Sequence, residues 1–282
     1  MSGWVFIAVI AAAALHALWN ALVKGGADKT LNMGAVIIGH APLATLAVIY
    51  APLPAPESLP YLFAGLALHF GYQWFLLRAY LLGDLTQVYP IARGSAPLIV
   101  ALFSVLVLGV HLDGMELLAI AIIGAGIISL ALVRRADGLR NGNAAVLALI
   151  TGLFIASYSL VDGLGARLSG SSLAFFGWMA LGNGLMMAAF LAVTSPQSLR
   201  DLPRKGLPVF LIGGSASFIA YALVTWAFTQ APIALVTALR ETSIIFALLI
   251  GVVFLKERLS LIKVASTMTT LLGAVLLRFV RS

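Results

Sequence analysis

Ten stretches of about 20 mostly apolar residues, each long enough to cross the hydrocarbon core of a bilayer, follow one another almost without interruption. They run over residues 3–24, 31–51, 59–82, 85–109, 113–133, 144–165, 172–194, 207–229, 233–254 and 261–280. The breaks between them are short and polar, from "GGADKT" and "PAPESLP" to "SPQSLRDLPRK" and "KERLS", and none can hold a soluble domain. A chain built this way has little choice of fold. In lipid every backbone N–H and C=O must find its partner inside the protein, which helices achieve segment by segment and isolated strands do not. The expectation is an all-α polytopic membrane protein with ten transmembrane helices. Composition agrees: 62% of residues are hydrophobic, 10% are charged and the mean hydropathy is +1.08. A soluble domain has about 45–50% apolar and about 25% charged residues.

The opening "MSGWVFIAVIAAAALHALWNALVK" lacks a basic leader and is too long for a signal peptide, so it reads as a retained helix. The absence of cysteine excludes disulfides and thiolate metal ligands. A net charge of +7 does not describe a nucleic-acid surface here, because the 17 Lys and Arg are scattered over loops and helix ends. Such residues set topology instead. An even number of spans puts both termini on one side. Ten basic residues, among them Lys24, Lys29, Arg134, Arg200 and Lys256, fall on the opposite side, against Arg167, Arg278 and Arg281 on the terminal side. This count places both termini outside the cytoplasm.

Two of the stretches share an oddity. "VYPIARGSAPLIVALFSVLVLG" and "ALVTALRETSIIFALLIGVVFL" each carry an arginine, Arg93 and Arg240, 147 positions apart. The same offset pairs Gly126 in "IIGAGIISLAL" with Gly273 in "LLGAVLL". Upstream, "LRAYL" faces "TWAFT" after one residue of gap, and "LWNALVKGGA" loosely faces "SYSLVDGLGA". The chain reads as two five-helix copies, 1–138 and 139–282. An odd number of helices per copy makes the copies insert in opposite directions. In transporters such inverted repeats place the substrate site at mid-membrane, on the repeat interface.

The segments "LHALWNALVKGG", "YPIARGSAPLIVAL", "YSLVDGLGAR" and "ALRETSIIFALLIGVVFLKERLS" resemble the EamA family of the drug/metabolite transporter superfamily, along nearly the whole chain. The resemblance implies ten helices in two inverted halves, a central cavity and alternating access. It implies a transporter more strongly than any one substrate, since relatives move amino acids, nucleotide sugars, phosphorylated sugars, amines and drugs. It also implies termini in the cytoplasm, opposite to the charge count.

Helical spacing sorts the intramembrane polar groups, because residues three or four apart share a face. Six helices carry one polar-aromatic stripe each: His16, Trp19 and Asn20; His69, Tyr72 and Gln73; Tyr89 and Arg93; Tyr158 and Asp162; Ser217, Tyr221 and Thr225; Thr237, Arg240 and Glu241. Six such stripes point to a shared cavity. Arg93 lies about 13 Å into its helix, close to mid-membrane, where an arginine costs at least about 2.5–3.5 kcal/mol. Its planar fork suits a carboxylate, phosphonate or phosphate. Arg93 is the first candidate because no acidic residue lies within a helical turn of it, whereas Arg240 has Glu241 beside it. The competing reading has both arginines locking the halves together through ion pairs.

Glu241 and Asp162 are read as proton-coupling carboxylates or as permanent ion-pair partners, with Asp162 near enough to a helix end to be hydrated there. The substrate is expected to dock on Arg93, Tyr89, His69 and Tyr72, with Gln73, Trp19, Asn20, His16, Tyr158, Tyr221 and Arg240 completing the site. The function expected is secondary transport of a small anionic or zwitterionic metabolite, amino-acid-like or aminophosphonate-like. One alternative is an organic or quaternary ammonium cation in an aromatic cage; another is a non-transporting membrane subunit. No nucleophile–base pair, phosphate loop or metal-ligand spacing suggests an enzyme. No cofactor or nucleic acid is expected. The partners are a small-molecule substrate, the bilayer and protons as coupling ion; one chain suffices as a monomer, in a bacterial inner membrane.

Overall fold

The computed structural model describes residues 2–106, 114–131, 142–257 and 261–280. The regular structure in these residues is helical, with no strand. The first part of the chain forms α1 (Gly3–Gly25), α2 (Lys29–Ile38), α3 (Ala41–Tyr50), α4 (Leu59–Leu82), α5 (Leu85–Leu106) and α6 (Gly114–Ala131). The second forms α7 (Gly142–Leu168), α8 (Ser172–Thr194), the short α9 (Pro196–Asp201), α10 (Gly214–Gln230), α11 (Ile233–Arg240), α12 (Ser243–Val253) and α13 (Leu261–Val280). The stretch ends expected at Gly109 and Val133, the loop arginines 134, 135 and 140 and the 138/139 boundary lie outside the described residues.

Helix starts follow local chemistry. The side chains of Ser2, Asp28 and Ser171 accept from the backbone N–H of Val5, Leu31 and Ala174, satisfying donors that the first turn leaves open. Two stretches expected as single helices are each two. The first breaks at Gly39–His40, where Pro42 has no N–H to give to the carbonyl of Ile38. The second breaks at Glu241–Thr242, where the Thr242 hydroxyl and N–H both turn back to the Leu239 carbonyl, at 2.7 and 3.1 Å. This break falls beside the very residues that carry charge. The eighth stretch opens with a π-helical turn, Val209–Gly213, before α10.

Five segments are long and apolar enough to cross a membrane: Gly3–Gly25, Lys29–Tyr50, Gly142–Leu168, Ser172–Thr194 and Val209–Gln230. Shorter apolar helices cover Leu117–Ser129, Ser243–Val253 and Val264–Gly273. Large apolar side chains such as Trp4, Phe63, Leu185, Val193 and Leu261 point outward, which suits lipid and not water. The chain is a multi-pass membrane protein.

Packing places α4 and α5 against α7, α1 against α10 and α12, α2 and α3 against α8, and α6 against α13. The α6–α13 contact needs two glycines. A Cβ on Gly126 would lie 2.7 Å from the Thr270 nitrogen and 2.9 Å from the Ser266 carbonyl oxygen. One on Gly273 would lie 2.8 Å from the Ile123 nitrogen and 3.0 Å from the Ala119 carbonyl oxygen. Small residues let backbones meet where lipid offers no hydrophobic drive to hold helices together.

Charged side chains tie helix ends across the fold. Lys24, at the end of α1, donates to the Tyr80 and Gly83 carbonyls at the end of α4, at 3.1 and 2.6 Å. Arg167, at the end of α7, donates to the Phe228 and Ala231 carbonyls at the end of α10, at 2.8 and 2.9 Å. Glu257, of the "KERLS" break, accepts from the Leu85 and Thr86 N–H groups that open α5, at 2.8 and 2.9 Å. Each pairing puts a charge where the helix dipole favours it.

Candidate functional site

Arg93 occupies the middle of α5 and is 2% exposed. Its partner is Glu241, with Nη2 3.3 Å from Oε1. The two groups are an ion pair without hydrogen-bond alignment: neither carboxylate oxygen of Glu241 has a hydrogen bond among the described residues. Nε and Nη1 of Arg93 have none either. A planar donor fork is therefore half used at a buried position.

Arg240 takes a different place. Nη1 donates to the Ser159 hydroxyl at 3.4 Å and Nη2 to the Tyr158 hydroxyl at 3.5 Å. Its guanidinium also sits over the ring of Tyr221, 5.4 Å from the centroid, and 6.0 Å from that of Tyr158. The expected pairing is reversed: Glu241 serves Arg93 across the fold and not its sequence neighbour. Adjacent residues on a helix point to different faces, and α11 ends at Arg240, so that Glu241 opens the break between α11 and α12 and pairs with α5 instead.

Asp162 is fully buried, not hydrated as a helix-end residue. Glycine at 65 and the packing of α4 on α7 close over it. Its Oδ2 lies 2.6 Å from His69 Nε2 and also accepts the Tyr221 hydroxyl. His69 stacks on Tyr158 with centroids 4.3 Å apart, and Tyr72 meets Tyr158 edge-on at 5.4 Å. Thus His69, Tyr72, Tyr158, Asp162, Tyr221 and Arg240 come together from α4, α7, α10 and α11.

Other candidates have structural employment. Asn20 donates to the His16 carbonyl at 2.8 Å and accepts from the Tyr80 hydroxyl at 2.7 Å, a stitch between α1 and α4. Trp19 donates to His16 Nδ1 at 3.3 Å, while His16 Nε2 is buried without a partner among the described residues and its ring lies 6.1 Å from that of Tyr89. Gln73 reaches Asn183 on α8 at 3.5 Å. Two further tryptophans that an aromatic cage could draw on lie elsewhere: Trp74 beneath Arg78 at 5.3 Å, and Trp226 37% exposed.

Sequence reasoning overlooked Tyr80, Ser159 and Asn183. Tyr80 lies seven residues beyond Gln73 on the same face of α4, a signal that periodicity contains. Ser159 lies three residues before Asp162, a spacing that periodicity also contains, whereas Asn183 stands alone on an apolar helix and gives none. Among the described residues no group of three His, Cys, Asp or Glu could hold a metal ion.

Residues 142–279 match the model of the EamA-like transporter family. A comparison with curated proteins finds no match. A protein solved by crystallography shares the fold over 97% of this chain and 94% of its own, with a TM-score of 0.64 and 19% identity.

Proposed function

We propose that this chain, which carries an EamA-like transporter domain over residues 142–279, is a secondary transporter of a small anionic or zwitterionic metabolite, amino-acid-like or aminophosphonate-like. The observation that carries this reading is the half-used fork of Arg93. An unmet buried hydrogen-bonding group costs about 1–3 kcal/mol, and more when charged. A carboxylate or phosphonate offers two parallel acceptors that such a fork takes together. Tyr89, Tyr158 and Tyr72 lie near it and, with Arg240 on Tyr158, would fix the orientation of the ligand. An organic cation fits poorly, because the faces of Tyr158 and Tyr221 already hold the guanidinium of Arg240.

Alternating access needs two halves that rock against each other, and we read 1–138 and 139–282 as inverted halves of ten spans in all. Support comes from a packing pattern that survives their exchange. Gly126 meets Thr270 and Ser266 as Gly273 meets Ile123 and Ala119, and each partner is displaced by the same 147 residues. Likewise α1 on α10 mirrors α4 on α7, and the Lys24 clamp mirrors the Arg167 clamp. Both halves lie in one chain, so a monomer suffices. A bacterial inner membrane is the setting this reading expects.

The test is thermal stabilisation of the purified protein by amino acids, phosphonates, phosphorylated metabolites and quaternary amines, repeated on Arg93→Ala. A true ligand at 100 times its Kd stabilises by about 2.7 kcal/mol, and an anionic hit should vanish in the variant. Hits confined to cations, or folded Arg93→Ala and Arg240→Ala proteins that transport like wild type, would sink the reading.

A further inference from the structure

The interior holds a second ionisable cluster that the Arg93 fork leaves unused. Asp162 Oδ2 is shared by His69 Nε2, at 2.6 Å, and by the Tyr221 hydroxyl. Asp162 Oδ1 is buried without a hydrogen bond among the described residues. It is tucked against Gly65, where a Cβ would come within 2.7 Å of it. We propose that the His69–Asp162–Tyr221 cluster is a proton-binding site, and that its proton loads together with the anionic group at the arginines. This rests on the transporter reading above and names its coupling ion and the side chains that carry it.

Two buried carboxylates compete for the role, and their partners decide between them. Glu241 faces Arg93, a guanidinium that keeps its proton throughout. Asp162 faces an imidazole and a phenol, both of which can give and take one. The bare Oδ1 adds a second place where a proton can sit and removes a buried charge when it does.

Charge balance links this cluster to the ligand. Two arginines against two carboxylates cancel while His69 is neutral. One proton added anywhere on the His69–Asp162 pair leaves the interior with a single positive charge, which a single anionic group then matches. The link runs through atoms in contact: His69 stacks on Tyr158 at 4.3 Å, and Tyr158 accepts from Arg240 at 3.5 Å. The groups that face the pair are Tyr72 from its own α4, Tyr158 from α7 and Tyr221 from α10, and Arg240 from α11 lies over the ring of Tyr221. His16 on α1 and His40 at the α2–α3 break are the other buried imidazoles among the described residues. The proton enters as H⁺ from one side and leaves as H⁺ on the other, so only O–H and N–H bonds change and nothing is oxidised or reduced. Because His69 belongs to the first half and Asp162 and Tyr221 to the second, the proton sits between the parts that must move.

The direct test needs no substrate. With four histidines in the chain, isotope-labelled imidazole spectra of the protein in lipid nanodiscs can be assigned by single substitutions. The expected result is a proton-dependent step at His69 that moves in Asp162→Asn and in Tyr221→Phe. A His69 signal that ignores pH over the whole range in which the protein stays folded overturns the proposal, whatever the protein transports. In a second arm, liposomes enclosing a pH dye receive 2-aminoethylphosphonate outside. Uptake should acidify the lumen, and Asp162→Asn and His69→Gln should abolish that acidification, with Asp162→Glu restoring part of it. Uptake at constant lumenal pH also overturns the proposal. Failure to take up 2-aminoethylphosphonate counts against the substrate class alone and leaves the histidine titration to decide.

Discussion

The Arg93–Glu241 pair has little reason to exist for stability. Buried ion pairs often gain no more from attraction than they lose on leaving water, whereas removing one partner strands the other at about 3–5 kcal/mol. Glu241→Gln should therefore lower the unfolding midpoint of the purified protein sharply. The double variant Arg93→Gln/Glu241→Gln should recover most of the loss while remaining unable to bind an anion. If the double variant is no more stable than the single one, the pair is a lock and the fork is not kept for a ligand. The exposed Asp201–Lys205 pair makes the contrast. Its hydrogen bond at 2.8 Å holds the Asp201 carboxyl below its ordinary range and the Lys205 ammonium above. A depressed carboxyl stabilises above its unfolded-state range and loses that benefit as pH falls through its folded range. Because the pair is bathed in solvent, Asp201→Asn should leave the neutral-pH midpoint within error. Any small difference should close further in acid, as midpoints measured from neutral to acid pH will record.

At the scale of helices, two glycines on α6 separate the demands of packing from those of propensity. Gly126 lies against the α13 backbone, while a Cβ at Gly124 would meet nothing within 4 Å. Gly124→Ala should be neutral or stabilising, by up to about 1 kcal/mol of helix propensity. Gly126→Ala should destabilise, and so should Gly273→Ala on the facing helix. Thermal unfolding of the three variants checks the ranking, and equal behaviour of Gly124→Ala and Gly126→Ala would contradict the α6–α13 contact. This scale also shows what a sequence makes legible. Helical period collected His69, Tyr72, Tyr158, Tyr221 and Arg240 onto faces that do converge, because periodicity reports which side of a helix is polar. It could not assign partners. Whether Glu241 serves Arg240 or Arg93 depends on a chain break set by the Thr242 hydroxyl, and whether Asn20 faces a ligand or the His16 carbonyl depends on a rotamer. Neither leaves a trace in residue spacing. The Gly39–His40 break, by contrast, has its signal in Pro42, which the apolar length of 31–51 outweighs when spans are read by hydropathy alone.

For the whole molecule, the proposed inversion of the halves predicts which sides the helix ends occupy. The Lys24 clamp gathers the ends of α1 and α4 with the start of α5, and Asp28 reaches Ser198 at 3.3 Å at that same end. The Arg167 clamp gathers the ends of α7 and α10, and the Ala55 N–H bonds the Ser169 carbonyl there at 3.0 Å. If ten spans cross the membrane, these two ends lie on opposite faces, and opening one while the other stays clamped is what alternating access requires. The absence of cysteine makes this testable without prior substitution. Ala27→Cys, Lys205→Cys and Glu57→Cys each place one thiol at an exposed position. In sealed vesicles of one orientation, an impermeant maleimide should reach positions 27 and 205 from one side and position 57 only from the other. Labelling of all three from one side would remove the proposed inverted repeat, and with it the reason for an arginine in the fourth span of each half. The opposite pattern would also decide orientation, where charge counting and family resemblance disagree: labelling of positions 27 and 205 from the cytoplasmic side puts the termini outside, as the basic residues demand.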